Sequence, residues 1–146
     1  MLRGNCPAKI DAKGRIKVPN SFRRYIEEKY GREFFVTSLS GEFVRVYPMP
    51  EWLEVEKKIA AAPSIDPAIT RFTNMVNYYG QAAAMDDQGR LLIHPVVRHA
   101  SGLDGLVAVL GHQVYIDIWS KEKFESLLKS QPITDEHRVV LARLGL

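Results

Sequence analysis

An eight-residue pattern that occurs twice, 75 positions apart, constrains this chain more than any other feature. Asp11-Ala12-Lys13-Gly14-Arg15-Ile16-Lys17-Val18 returns as Asp86-Asp87-Gln88-Gly89-Arg90-Leu91-Leu92-Ile93, and the offset still holds at Arg23 and Arg98. Internal self-similarity means that related supersecondary units stack or interlock to bury a face that neither buries alone. The 146 residues are enough for one compact domain, or for two very small subdomains that share a core.

The segments after the two patterns are also alike. A helical stretch is expected over residues 20–29 in the first copy and 96–100 in the second, ended near Gly31 and Gly102. Then come two β-branched and aromatic runs: Phe34-Phe35-Val36-Thr37 with Phe43-Val44-Arg45-Val46-Tyr47, and Leu106-Val107-Ala108-Val109-Leu110 with Val114-Tyr115-Ile116-Asp117-Ile118-Trp119. The short turn-rich pieces between them, Ser38 to Glu42 and Gly111-His112-Gln113, make each pair read as a hairpin. Each hairpin leads into a helix, over residues 51–59 and 121–128, with Pro48-Met49-Pro50 and Ser120 as start signals.

The copies are joined by Ala60-Ala61-Ala62-Pro63-Ser64 and a helix expected over residues 66–79. Asp66 caps it, Pro67 suits its first turn and Gly80 closes it. Ile69, Phe72, Val76 and Tyr79 fall on one face, so the connector is expected to pack. A last helix begins after Thr134, where Asp135 and Glu136 favour the N-terminus and Val140, Leu141 and Leu144 offer an apolar stripe to a neighbour. The expected organisation is a first repeat at 1–60, a helical connector at 61–80, a second repeat at 81–130 and a C-terminal helix at 131–146, around one shared core.

The turn carries the functional signal. Asp11 accepts hydrogen bonds from amides ahead of it, and Gly14 tolerates the positive φ of such a turn; Asp86 and Gly89 repeat this. Beyond the turn, Ile16 and Val18 point to one side of a strand and Arg15 and Lys17 to the other, with Lys13 on the turn itself. The second copy keeps Arg90 but has Gln88 for the lysine, Asp87 for Ala12 and Leu92 for Lys17, so it is far less cationic. Asp11 and Arg15, like Asp86 and Arg90, suit a local ion pair that shapes the turn and suit contact with a ligand. Both roles are compatible, because an arginine oriented by a carboxylate keeps free donors.

Charge is distributed to match. Arg3, Lys9, Lys13, Arg15, Lys17, Arg23 and Arg24 stand against the single acid Asp11 in the first 24 residues, a local +6 that leaves the remainder of this +3 chain at −3. A basic end on a slightly acidic protein is the footprint of a surface for a polyanion such as double-stranded DNA, and equally suits a solvated charged face before the motif is considered. The first turn is expected to dominate affinity, since each phosphate neutralised steepens the salt dependence by about 0.9. Gln88 and Arg90 suit adenine and guanine edges respectively.

Other classes fit less well. The 46% apolar and 25% charged content is that of a soluble globular protein, with no run of apolar residues long enough to span a bilayer and no secretory signal. His94, His99, His112 and His137 lack the spacing or cysteine partners of a metal site. Cys6 lacks a catalytic context, and a single cysteine suits a reducing compartment. No catalytic residue, metal, cofactor, small-molecule substrate or membrane partner is expected. The competing class is a protein-interaction module, such as an antitoxin-like protein, for which Trp52, Trp119, Tyr78 and Tyr79 would be interface anchors; packing explains them equally well.

Taken together, Met1-Leu2-Arg3-Gly4, Asp11 to Pro19 with Phe22-Arg23, Asp86 to Ile93 with Pro95 and Arg98, and Ile118-Trp119-Ser120-Lys121-Glu122 resemble the MraZ family over nearly the whole chain. The resemblance implies an α+β, mainly β fold: two AbrB-like swapped hairpins intertwined into a pseudo-twofold β-barrel with short peripheral helices. It implies a cytoplasmic, nucleoid-associated transcriptional regulator, typically a repressor of the division and cell wall gene cluster that begins with its own gene. It further implies a ring-shaped homo-oligomer that binds short direct repeats in the promoter. The family's D-x-x-x-R elements fall on Asp11 and Arg15 and on Asp86 and Arg90. The DNA-binding set expected is Arg3, Lys13, Arg15, Lys17, Gln88 and Arg90, with Asp11, Gly14, Asp86 and Gly89 shaping the turns. One departure is His94, where the family usually has the first of two prolines.

Overall fold

A computed structural model describes all residues, 1–146. The first repeat contributes β1 (Leu2–Ile10), β2 (Arg15–Lys17), α1 (Asn20–Lys29), β3 (Glu33–Thr37), β4 (Val44–Pro48) and α2 (Met49–Ala61). After α3 (Pro67–Tyr78), the second contributes β5 (Gln81–Ala84), β6 (Arg90–Leu92), α4 (Pro95–Ser101), β7 (Gly105–Gln113), β8 (Tyr115–Ser120) and α5 (Lys121–Ser130); α6 (Asp135–Arg143) ends the chain. All strand pairings are antiparallel, in the order β5-β3-β4-β8-β7-β1-β2-β6. The Asp86 amide donates to the Arg90 carbonyl at 2.9 Å and brings the outer strands β5 and β6 together, so the sheet is a nearly closed barrel. This is the α+β, mainly β architecture expected.

The order of pairing shows how the repeats interlock. β1 of the first copy pairs along its whole length with β7 of the second, from Leu2 opposite Gln113 to Ile10 opposite Gly105. β5 of the second copy returns to β3 of the first, from Glu33 opposite Ala84 to Val36 opposite Gln81. Between them β2 pairs with β6, and on the far side β4 pairs with β8, so each of these seams joins one strand to its counterpart in the other copy. The arrangement is a pseudo-twofold swap. Neither repeat can close the barrel without the other.

Period-two alternation fills the interior. Leu2, Ile10, Ile16, Val36, Val44, Val46, Leu91, Val107, Val109, Ile116 and Ile118 form one buried cluster, which Phe22 and Ile26 of α1 and Val97 of α4 extend. Each such side chain, fully buried, contributes about 1.5–3 kcal/mol. A smaller cluster outside the barrel seats the connector. Trp52 stacks on Phe35 at 4.3 Å and meets Tyr47, while the Thr37 hydroxyl donates to the Val76 carbonyl at 2.6 Å. The expected connector helix packs for this reason, with Val76 buried and Phe72 half-buried.

One local expectation differs. Gly111-His112-Gln113, read as a turn, is strand, because it pairs with Leu2, Arg3 and Gly4 at the start of β1. The reversal falls at Gln113 and Val114, with Gln113 at φ 63° and the Val114 amide donating to the His112 carbonyl at 2.6 Å. The last helix forms with its cap, the Thr134 side chain accepting from the His137 amide at 3.2 Å, and of its apolar stripe Leu141 is half-buried while Val140 and Leu144 are exposed. No helix is long and apolar enough to cross a membrane.

The register of β6 gives a paired test. Leu91 faces the core at 0% exposure and its neighbour Leu92 faces outward at 49%. Leu91→Ala is expected to cost about 2–5 kcal/mol in urea unfolding, and Leu92→Ala less than about 0.5 kcal/mol. Equal losses would place the strand in another register.

Candidate nucleic-acid interface

Both Asp-x-x-Gly-Arg turns close through the same set of hydrogen bonds. In the first, Asp11 Oδ1 accepts from the amides of Lys13 and Arg15, each at 2.9 Å, and the Gly14 amide donates to the Asp11 carbonyl at 3.0 Å. In the second, Asp86 Oδ1 accepts from the amides of Gln88 at 2.8 Å and Arg90 at 2.9 Å, with Gly89 donating to the Asp86 carbonyl at 3.0 Å. The aspartate is needed because its short carboxylate reaches amides two and four residues ahead. The glycines sit at φ 85° and 77°, where a side chain is strained. A methyl group on Gly14 would also collide with the Arg98 guanidinium and the Ile93 carbonyl.

Each turn is fastened to the opposite repeat. The Ile93 amide donates to the Gly14 carbonyl and the Val18 amide to the Gly89 carbonyl, both at 2.8 Å. Arg98 of α4 lies against Gly14, and Arg23 of α1 lies against Gly89. The signal for these two arginines is the 75-residue offset they share; the sequence does not disclose that each sits under the other copy's turn.

The arginines just past the glycines are oriented by their aspartates. Arg15 Nε donates to Asp11 Oδ2 at 3.0 Å and Arg90 Nε to Asp86 Oδ2 at 2.9 Å. Only Nε is engaged in each case, so the terminal nitrogens remain free on side chains that are 36% exposed. Amide donation from Arg15, then its guanidinium and the Lys13 amide, hold the Asp11 carboxyl below the usual range against the opposing effect of desolvation. Asp86 is depressed likewise, first by the Arg90 amide.

Strand pairing gathers several of the expected residues on one surface. Ile16 and Leu91 are opposite one another and buried, so their neighbours Arg15, Lys17 and Arg90 lie on the outer face of β2 and β6. Lys17 is directly opposite Arg90, and Arg15 is opposite Leu92. Lys13 and Gln88 are exposed on the two turns. Arg3 is not part of this group: it pairs with His112 at the other end of β1, seven residues from Ile10, a distance of roughly 24 Å at the strand rise of about 3.4 Å per residue.

Although the turns are alike, their electrostatic surroundings are not. Around the second, Arg23 Nε donates to Glu27 at 2.6 Å and its Nη2 to the Asp87 carbonyl at 2.9 Å, while Arg32 Nη1 pairs with the Asp87 carboxylate at 2.7 Å. Cations there are matched by acids. Around the first, Ala12 replaces Asp87, and Lys13, Lys17 and Arg98 take part in no ion pair.

Known proteins match nearly the whole length of this chain. A family model described as "MraZ protein, putative antitoxin-like" matches residues 1–75 and 80–141. This chain belongs to the MraZ family. It is 42% identical to the transcriptional regulator MraZ of Acidobacterium capsulatum and 44% identical to that of Koribacter versatilis, over the full length of each chain. It is 33% identical to the transcriptional regulator MraZ of Coxiella burnetii strain RSA 493 over 86% of this chain and 84% of that one.

Three of the four histidines of this MraZ-family chain have local partners. His94 Nε2 lies 2.6 Å from the Tyr79 carbonyl, which ties the start of α4 to the end of the connector; burial pushes its pKa down. His137 Nδ1 accepts from the Thr134 amide at 3.1 Å, and His112 Nε2 lies 3.5 Å from the buried Asp117, itself held by Arg45 at 2.8 and 3.1 Å.

Carboxyl-detected NMR titration is expected to place Asp11 and Asp86 below an ordinary aspartate. A depressed carboxyl adds stability that is complete above its unfolded value of about 3.9 and is lost as pH falls through the lower folded value. The turns should therefore hold at pH 5 and loosen only in stronger acid. Normal titration of both carboxyls would contradict the geometry.

Proposed function

We propose that this protein is a sequence-specific DNA-binding transcriptional regulator, acting as a repressor of the division and cell wall gene cluster that includes its own gene. The observation that carries the reading is the outward row of Arg15, Lys17 and Arg90 on paired strands, with Lys13 on the adjoining turn. A rigid β-surface with two unpaired lysines and two arginines whose terminal nitrogens are free suits the regular spacing of phosphates, and affinity built this way falls steeply with salt. Arg15, aimed by Asp11 and with both terminal nitrogens free, is suited to a bidentate contact with a phosphate or a guanine edge. The names of the relatives support regulation as the role rather than catalysis.

Self-assembly belongs to the same reading. Ile133, Val139, Val140, Leu144 and Leu146 leave an apolar tail in solvent, and an apolar groove of about 380 Å³ opens between α5 and the β1–β7 pair, lined by Pro7, Leu110, Phe124 and Leu128. Exposed surfaces of this kind mark contacts with a neighbour, here a second copy of the chain. A ring would present one basic turn per protomer to successive direct repeats, and effective concentration would turn weak single contacts into tight binding. Such a regulator would work in the cytoplasm, at the nucleoid.

Selection of bound duplexes from a random pool tests the whole reading, with enrichment of spaced direct repeats as the expected result. No enrichment would favour the antitoxin-like, protein-binding alternative. In anisotropy titrations with a selected duplex at physiological salt, Arg15→Ala should abolish binding without altering the fold or assembly. Lys13→Ala should cost more affinity than Gln88→Ala; the reverse order would overturn the primacy of the first turn.

A further inference from the structure

The internal repeat provides a control for one side chain that lies outside the row of Arg15, Lys17 and Arg90. Arg23 and Arg98 occupy equivalent positions, each lying against the glycine of the opposite turn. Arg23 is held at two of its three nitrogens: Glu27 takes its Nε and the Asp87 carbonyl its Nη2. Arg98 has neither. The position 75 residues after Glu27 is Gly102, the residue that ends α4, and the position equivalent to Asp87 is Ala12. No hydrogen bond or ion pair reaches the Arg98 guanidinium, and its Nη1 is buried without a partner. Nη1 is sealed against Gly14 and fixes the side chain in place, while the remaining donors of this half-buried, permanently charged group reach solvent with no partner in the chain and are open to an anion from outside it.

The surroundings leave room for one. Arg98 lines a cleft of about 390 Å³ between α4 and the first turn, bordered by Ala12, His99, Gly102 and Asp104. Gly102 and Ala12 stand there at the positions that Glu27 and Asp87 occupy around the second turn. Asp11, also on its wall, is already committed to Arg15 and the turn amides. Asp104 is exposed and unpaired, where solvent and salt screen its repulsion.

We propose that Arg98 binds a DNA backbone phosphate in this cleft. The phosphate takes the place of the missing acid, and the contact anchors the duplex beside Lys13 and Arg15. The proposal rests on the DNA-binding reading and adds to it a phosphate site that the D-x-x-x-R elements do not contain. It also makes the equivalent arginines unequal: Arg23 serves the fold, and Arg98 serves the fold and the ligand.

The test is the salt dependence of binding to a fluorescein-labelled duplex of arbitrary sequence, measured by anisotropy from low to moderate potassium chloride, for the full chain and for Arg98→Gln, Arg98→Lys and Arg23→Gln. Arg98→Gln should lower the slope of log affinity against log salt by about 0.9, the value for one phosphate contact. Arg98→Lys should keep the slope, and Arg23→Gln should lower the melting temperature while leaving the slope unchanged. A purely structural Arg98 would lower stability and affinity at the original slope, and that result overturns the proposal while the DNA-binding reading stands. Failure of the unaltered protein to bind any duplex overturns both.

Discussion

Everything in this fold depends on two reciprocal backbone hydrogen bonds, from Ile93 to Gly14 and from Val18 to Gly89. Each takes the carbonyl of a turn glycine in one repeat and satisfies it with an amide just past the counterpart turn in the other. The β2–β6 pair lies between them, and it is only three residues long in each strand. So short a ladder holds its register because both of its ends are clasped and its middle pair, Ile16 and Leu91, is buried. The glycines are required for the same reason: positive φ permits the turn, and the missing side chain lets an arginine of the other repeat lie against it.

On this nearly symmetric frame the charges are unlike. The first turn carries Lys13 and Lys17 where the second carries Gln88 and Leu92, and the second adds Asp87 and Glu27 where the first has Ala12 and Gly102. Backbone geometry is therefore shared by the two copies while electrostatics diverge. Around the second turn, Glu27 and Asp87 hold Arg23 and Arg32 and brace the fold; around the first, Lys13, Lys17 and Arg98 are left unmatched. Unmatched cations repel one another and raise the energy of the free protein, a cost that an approaching polyanion relieves.

Features fixed by short-range chemistry were legible in the sequence, and those fixed by long-range pairing were not. Asp11 and Gly14 announce a turn because an aspartate carboxylate and a glycine φ act within four residues, and Asp66, Pro67 and Thr134 mark helix starts for equally local reasons. The alternation of Ile16 and Val18 with Arg15 and Lys17 is enough to place the cations outside. Gly111-His112-Gln113 has the composition of a turn, yet it is strand because Leu2 to Gly4, more than a hundred residues earlier, pairs with it. Arg3 belongs to the basic end by sequence but is carried to the far end of β1, since nothing in a charge count reports how long the intervening strand is. Arg98 was visible only as the mate of Arg23; its lack of an acid comes from α4 being shorter than α1, so that the helix has already ended where Glu27 would recur.

The swap itself bears on function. Pairing β1 with β7 and β5 with β3 demands contacts between distant parts of the chain, which slows folding relative to two independent hairpins. Independent hairpins would leave each turn at the tip of a two-stranded ribbon, free to bend and marginal in water. In the interlocked barrel each Asp-x-x-Gly-Arg turn is held by its own strands, by the opposite turn's strand and by an arginine from the opposite helix. The guanidinium of Arg15 is thus positioned before any ligand arrives, and less ordering is left to oppose association. A topology that is costly to assemble once yields a cationic surface that need not be organised again each time a ligand meets it.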